Sequence, residues 1–235
     1  MSIKERTLSI VLIAITAITL IYYLAPSEKI WGAGEEPYMV IAGKKPLDAK
    51  ISVRVNYFGR GESCSGWSWS AVSGDVKKGI YNESFNIEHN FSQTKDSYEL
   101  RIPYQPRQPE ANCITQLSNM EVKLVNAFDT VGFANLRIHR AGTDYDNKPI
   151  GLSSQVEARN CRARYYEDLK KWSSGLACSF YTDGKIKNKK SDLVVFNAYT
   201  VHFDFSQFND NTVIHYDILA GDDYRSTPLD PQTGK

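Results

Sequence analysis

The sequence has no surplus of either charge: 28 Lys and Arg stand against 27 Asp and Glu, for a formal net charge of +1. That balance argues against a nucleic-acid-binding chain, and 42% hydrophobic residues argue against a disordered one. None of the four cysteines forms a C-x-x-C pair, so zinc ribbons and thioredoxin-type redox sites lack their spacing. No G-x-S-x-G, H-E-x-x-H, phosphate loop or EF-hand loop occurs, so no reaction is named by a motif and no cofactor is expected. Fixed-period repeats and low-complexity tracts are absent, which sets aside solenoids and collagen-like chains. Helical periodicity is scarce too, with Tyr165–Trp172 the one soluble stretch suited to a turn or two. Long apolar runs are equally rare, and the single exception says where the chain resides.

Thr7–Ala25 runs for nineteen residues without a charge. At about 1.5 Å of rise per residue it matches the roughly 30 Å hydrocarbon core of a bilayer. Lys4 and Arg6 precede it, and Tyr22, Tyr23 and Trp31 mark its exit, a positive-inside pattern with an aromatic belt. A cleavable signal needs a shorter apolar region followed by small residues. Here Tyr22-Tyr23-Leu24-Ala25-Pro26 puts aromatics and a proline at that place, so an uncleaved anchor is favoured. Cleavage of residues 1–34 would instead leave a secreted or periplasmic chain. The expected organisation is a cytoplasmic N-terminus (1–6), a transmembrane signal-anchor (7–25), a Gly- and Pro-rich linker (26–47) and an extracytoplasmic domain (48–235). The resulting location is the inner membrane, single-pass, with the bulk periplasmic.

Cys64, Cys113, Cys161 and Cys178 all follow the apolar run, and an even count in an exported chain reads as disulfide-bonded. Of three connectivities, Cys64 to Cys113 with Cys161 to Cys178 is favoured, because each bond then staples neighbouring strands. Strand after strand is expected from period-two alternation. Ile51, Val53, Val55 and Tyr57 alternate with Ser52, Arg54 and Asn56, and Tyr98, Leu100 and Ile102 with Glu99 and Arg101. Turn signals at Ser73-Gly74-Asp75, Thr94–Asp96, Pro103–Pro109 and Asp183-Gly184 separate about nine such runs. The expected fold class is all-β, an antiparallel Ig-like or Greek-key β-sandwich preceded by one transmembrane helix. Within Cys64-Ser65-Gly66-Trp67-Ser68-Trp69, a buried tryptophan beside a disulfide is favoured over a carbohydrate-stacking patch.

Two short motifs stand out, His202-Phe203-Asp204 and His215-Tyr216-Asp217. In a strand, His and Asp of each motif share a face. Val201, Phe203 and Phe205 with Ile214, Tyr216 and Ile218 mark the opposite, core-directed face. If Ser206–Asn211 joins adjacent strands, His202 faces Asp217 and Asp204 faces His215, and the carboxylates raise the histidines' affinity for protons. Such a patch reads as surface His–Asp pairing, as a partner-binding face, or as a divalent metal site. Gly221-Asp222-Asp223 adds acid nearby, and with Asp217 it is a loose calcium candidate. His202, Asp204, His215, Asp217, Asp222 and Asp223 form the expected binding patch; His89 and His139 read as structural. From Phe203 onward six aspartates face only Arg225 and Lys235, whereas Arg159–Lys190 is basic.

Cys64 and Trp67 after the first strand, then DSYELRIPY, then Cys113 followed by LSNMEVKLV, resemble the envelope-exposed β-domain proteins that bacteria encode beside secreted toxic effectors. Immunity proteins of type VI secretion phospholipases belong to that group. The resemblance covers about a third of the chain and carries over no functional residue. It implies a non-enzymatic inhibitor in the periplasm. The expectation is therefore a membrane-anchored protein-binding domain whose partner is another protein, with no nucleic acid. A structural subunit of an envelope or secretion complex and an envelope hydrolase are the alternatives.

Overall fold

Apolar and polar residues alternate most cleanly in Lys50–Arg60 and Ser97–Ile102, and both are strands in the computed structural model. It describes residues 30–34, 36–61, 63–69, 74–142, 148–187 and 198–228. The expected N-terminal tail and membrane segment lie outside these. Among the described residues no helix is long and apolar enough to cross a membrane. Fourteen strands follow in order among them: Met39–Lys44 (β1), Lys50–Arg60 (β2), Ser65–Trp69 (β3), Val76–Ile80 (β4), Asn82–Ile87 (β5), Ser97–Ile102 (β6) and Arg107–Glu110 (β7). Cys113–Val125 (β8), Phe133–Arg140 (β9), Gln155–Tyr166 (β10), Lys171–Thr182 (β11), Lys185–Ile186 (β12), Ala198–Phe203 (β13) and Val213–Leu219 (β14) complete them.

The strands build two six-stranded sheets with a sandwich-like core between them. One runs β12-β11-β10-β14-β1-β6; the other runs β13-β9-β8-β2-β5, with β7 on β8. A hairpin of β3 and β4 stands apart as a third, two-stranded sheet. Both large sheets are mixed rather than antiparallel, because β1 and β10 flank β14 in parallel and β13 lies parallel to β9. Parallel neighbours cannot be joined by a tight hairpin, so the chain must cross between sheets.

Buried side chains follow the alternation. Val53, Val55 and Tyr57 of β2 meet Leu100 and Ile102 of β6 and Ile214 and Tyr216 of β14 in one cluster. A register shift after Asn56 keeps both Val55 and Tyr57 opposite buried residues of β8, Met120 and Leu117. Three buried side chains make bonds that cross between segments. The Tyr216 hydroxyl donates to the Ala134 carbonyl of the other sheet at 2.6 Å, and the Tyr57 hydroxyl donates to the Pro103 carbonyl. Asp129, only 2% exposed, accepts from Gly132 N–H at 2.7 Å and from Leu176 N–H at 2.8 Å, which ties the β8–β9 loop to β11. Gly43 makes room for another such link. A Cβ there would lie 2.0 Å from the Tyr216 carbonyl oxygen, which accepts from the Tyr98 hydroxyl at 2.6 Å.

β1 lies inside the stretch expected to be linker, and it is a central strand between β14 and β6. Its burial explains the difference: Met39 and Ile41 are fully buried, so Tyr38–Lys44 is core sequence despite the glycines and prolines around it. The expected helix at Tyr165–Trp172 reduces to a 3-10 turn at Glu167–Leu169 closing the β10–β11 hairpin. The disulfides are Cys64–Cys113 and Cys161–Cys178, the favoured pairing. They span 49 and 17 residues. By loop entropy those spans correspond to about 4 and about 3 kcal/mol.

Candidate functional site

Beyond Arg159 the β10–β11 hairpin loses its neighbour, since β14 pairs with β10 only over Gln155–Arg159. One face of that ribbon still packs into the core, where Cys161, Ala163 and Leu176 are buried, but the residues nearest its tip stay in contact with water. Tyr165 and Trp172 pair across the ribbon with ring centroids 5.4 Å apart. Their exposures are 42% and 40%, and Leu169 at the turn reaches 62%. The bulge between Arg159 and Arg162, with Asn160 in the left-handed region at φ 53°, turns Arg162 and Arg164 alongside the aromatic pair. The Arg225 guanidinium approaches the Trp172 ring at 6.0 Å, and Arg162 lies 4.0 Å from Asp223. These side chains line an open groove of about 1140 Å³.

Chemically the groove offers flat aromatic surface and three guanidiniums set beside two carboxylates, Asp222 and Asp223. Large aromatic and arginine side chains are those that contribute most to protein–protein binding when a partner excludes water from them. Among the described residues no group of three or more His, Cys, Asp or Glu is placed to hold a metal ion.

The expected patch is divided. Asp222 and Asp223 line the groove, but the other four residues belong to two different sheets. His202 is on β13 and His215 on β14, so the pairing of His202 with Asp217 and of Asp204 with His215 does not form. Buried Phe205 and Phe208, stacked with centroids 4.7 Å apart, account for this: they draw the intervening loop into the core as it passes between sheets. The core-directed faces were read correctly, with Val201, Phe203, Phe205, Ile214, Tyr216 and Ile218 all buried.

Each aspartate of the two motifs is occupied locally. Asp217 accepts from Lys44 N–H at 2.8 Å and from the Gln155 side-chain amide at 2.9 Å. Asp204 caps the following 3-10 turn, accepting from the Ser206 hydroxyl at 2.6 Å and its N–H at 3.0 Å, and these bonds hold its carboxyl below the usual range. His215 is exposed opposite Ala42 and Gln155. His202 stands beside His139 instead. Its affinity for protons is lowered, not raised, because burial disfavours the charged ring; His139 is lowered by burial and then by His202.

Trp67 is not the buried tryptophan expected beside the disulfide, and the side chain of Trp69 lies outside the described residues. Trp67 is 74% exposed, because β3 and β4 form a ribbon with no layer over that side chain. Close packing at the neighbouring disulfide comes from Gly59, where a Cβ would meet Cys64 Sγ and Tyr81 Cβ at 3.0 Å. The residues that sequence reasoning missed are Tyr165, Trp172, Arg162, Arg164 and Arg225. Their signal was the basic run from Arg159 with aromatics at both ends of RYYEDLKKW, which a short helix had absorbed.

The described residues thus form an all-β domain with two large mixed sheets and two disulfides. No protein-family profile, curated protein or solved structure matches the chain.

Proposed function

We propose that this chain is a membrane-anchored, extracytoplasmic domain that works by binding another protein in the β10–β11 groove. The observation that carries the reading is the exposed Tyr165–Trp172 pair set among Arg162, Arg164 and Arg225. Aromatic surface left in water near the tip of a hairpin is available to a partner. Its arginines favour a partner that presents carboxylates around an apolar centre. The aspartates of the two His-x-Asp motifs add no competing face for a basic partner, since Asp204 and Asp217 are taken up by local hydrogen bonds. Two disulfides suit an oxidising compartment, and Thr7–Ala25 supplies the anchor. Inhibition of a secreted toxic enzyme is the form of this function that the resemblance implies.

The test uses the full chain in detergent as bait for an envelope extract, beside a variant carrying Trp172→Ala and Arg164→Glu. The expected outcome is one protein retained in stoichiometric amount by the wild type and lost by the variant. Retention by both, or by neither, overturns the groove as binding site. For the inhibitor form, the retained protein is an enzyme whose activity falls when the wild-type chain is added.

A further inference from the structure

We infer that His139 and His202 form a two-imidazole site for a divalent transition-metal ion on the outer face of the second sheet. The site follows from topology. β9 and β13 are parallel neighbours in register, and His202 falls directly opposite His139. Since Ile138, Val201 and Phe203 turn inward and are buried, alternation turns both histidines outward on the same face. Their ring centroids lie 5.9 Å apart at an interplanar angle of 53°. Two metal–nitrogen bonds of about 2.0–2.1 Å set the centres of two imidazoles sharing one ion about 5–6 Å apart.

The rings are free to ligate. Among the described residues neither imidazole makes a hydrogen bond to another group. Glu121 and Asn119 on β8, Arg137 and Arg140 on β9 and Asp204 beyond β13 are the nearby polar groups. Arg137 is engaged by Glu121 at 3.3 Å, and the Arg140 guanidinium sits over the Phe58 and Phe205 rings at 6.0 and 5.8 Å. Asn119 accepts from the Asn56 amide at 2.7 Å. Metal binds the neutral ring, so an ion at this site competes with protons and its binding weakens as pH falls. Paired imidazoles select zinc, copper or nickel over calcium or magnesium. With two protein ligands, the other coordination positions are left to water or to a ligand from outside.

The test titrates the full chain in detergent with Cu²⁺ and Zn²⁺ as the probes. Cu²⁺ is expected to bind at one ion per chain with an electron-spin-resonance pattern of two equivalent nitrogens. His139→Gln and His202→Gln each raise the dissociation constant at least about tenfold and remove that pattern, as follows from losing one of two ligands. His89→Gln and His215→Gln leave it unchanged. Zn²⁺ raises the wild-type unfolding temperature and leaves that of His139→Gln unmoved, because an ion held only by the folded state stabilises it. No binding by the wild type, or binding that survives either of the first two substitutions, overturns the assignment.

Discussion

His202-Phe203-Asp204 and His215-Tyr216-Asp217 carry the same His-aromatic-Asp pattern thirteen residues apart, yet they end in different sheets with different duties. In the first, Phe203 fills the core at the edge of one sheet, Asp204 caps a turn and His202 faces another histidine. In the second, Tyr216 sits between two parallel neighbours and bonds across the sandwich, while Asp217 holds the end of β1 and His215 faces water. Alternation set which residue of each motif turned inward. Strand partners set everything else, and partners are chosen by the whole chain.

Breaking the two aromatic positions tests the comparison most strongly. Tyr216→Ala and Phe203→Ala each cost about 3–5 kcal/mol by cavity formation. Tyr216→Ala is the larger because it also strands the Ala134 carbonyl, and urea unfolding measures both. Equal losses would mean that the hydrogen bond across the sheets contributes nothing.

Tyr216→Phe isolates that bond, with an expected loss of about 1–3 kcal/mol from an unsatisfied buried carbonyl. Ala134 already holds φ at 50°, so the same variant speeds amide exchange at the start of β9. Phe203 has no polar group to remove, which is the contrast.

The aspartates differ by less. Asp217→Ala releases the Lys44 N–H and the Gln155 amide, an expected loss of about 1 kcal/mol. Asp204→Ala loses only the cap on the short 3-10 turn that follows it, and its smaller effect is seen in the same urea series. A reversed order would make the turn, not the β1–β14 junction, the more sensitive element.

The smallest effect is in pH. Both His139 and His202 have folded-state values below the ordinary 6.5, so the unfolded chain takes up protons first. Their contribution is full above about pH 6.5 and declines as pH falls from there through the depressed folded values. Urea midpoints compared at about pH 8 and about pH 5 show this, and the double variant His139→Gln with His202→Gln flattens that part of the profile. Asp204 acts in a lower window: its depressed carboxyl contributes above the ordinary aspartate range and is lost as pH falls through its folded value.

Much of this architecture was legible because it is local. Period-two alternation located β2 and β6 to within a few residues and gave the inward faces of β13 and β14, and Asp183-Gly184 marked the β11–β12 turn. The disulfide pairing followed from neighbouring strands. What escaped is non-local. β1 looked like linker because its Gly and Pro neighbours dominate the composition, whereas Met39 and Ile41 are core only once β14 and β6 flank them. The groove escaped because a turn of helix and the tip of a hairpin both use short polar runs between aromatics.

The sequence by itself determined an all-β domain, the inward and outward faces of several strands, a favoured pairing among its cysteines and its lack of a named catalytic motif. These depend on the chemistry of neighbouring residues and on the two-residue period of an extended backbone. Only the tertiary structure decided that the sheets are mixed, that β13 and β14 part company, that His139 meets His202 and that Tyr165 and Trp172 stay exposed. Those outcomes turn on which distant strands share hydrogen bonds and where a sheet ends, a competition for burial that no short window of sequence contains.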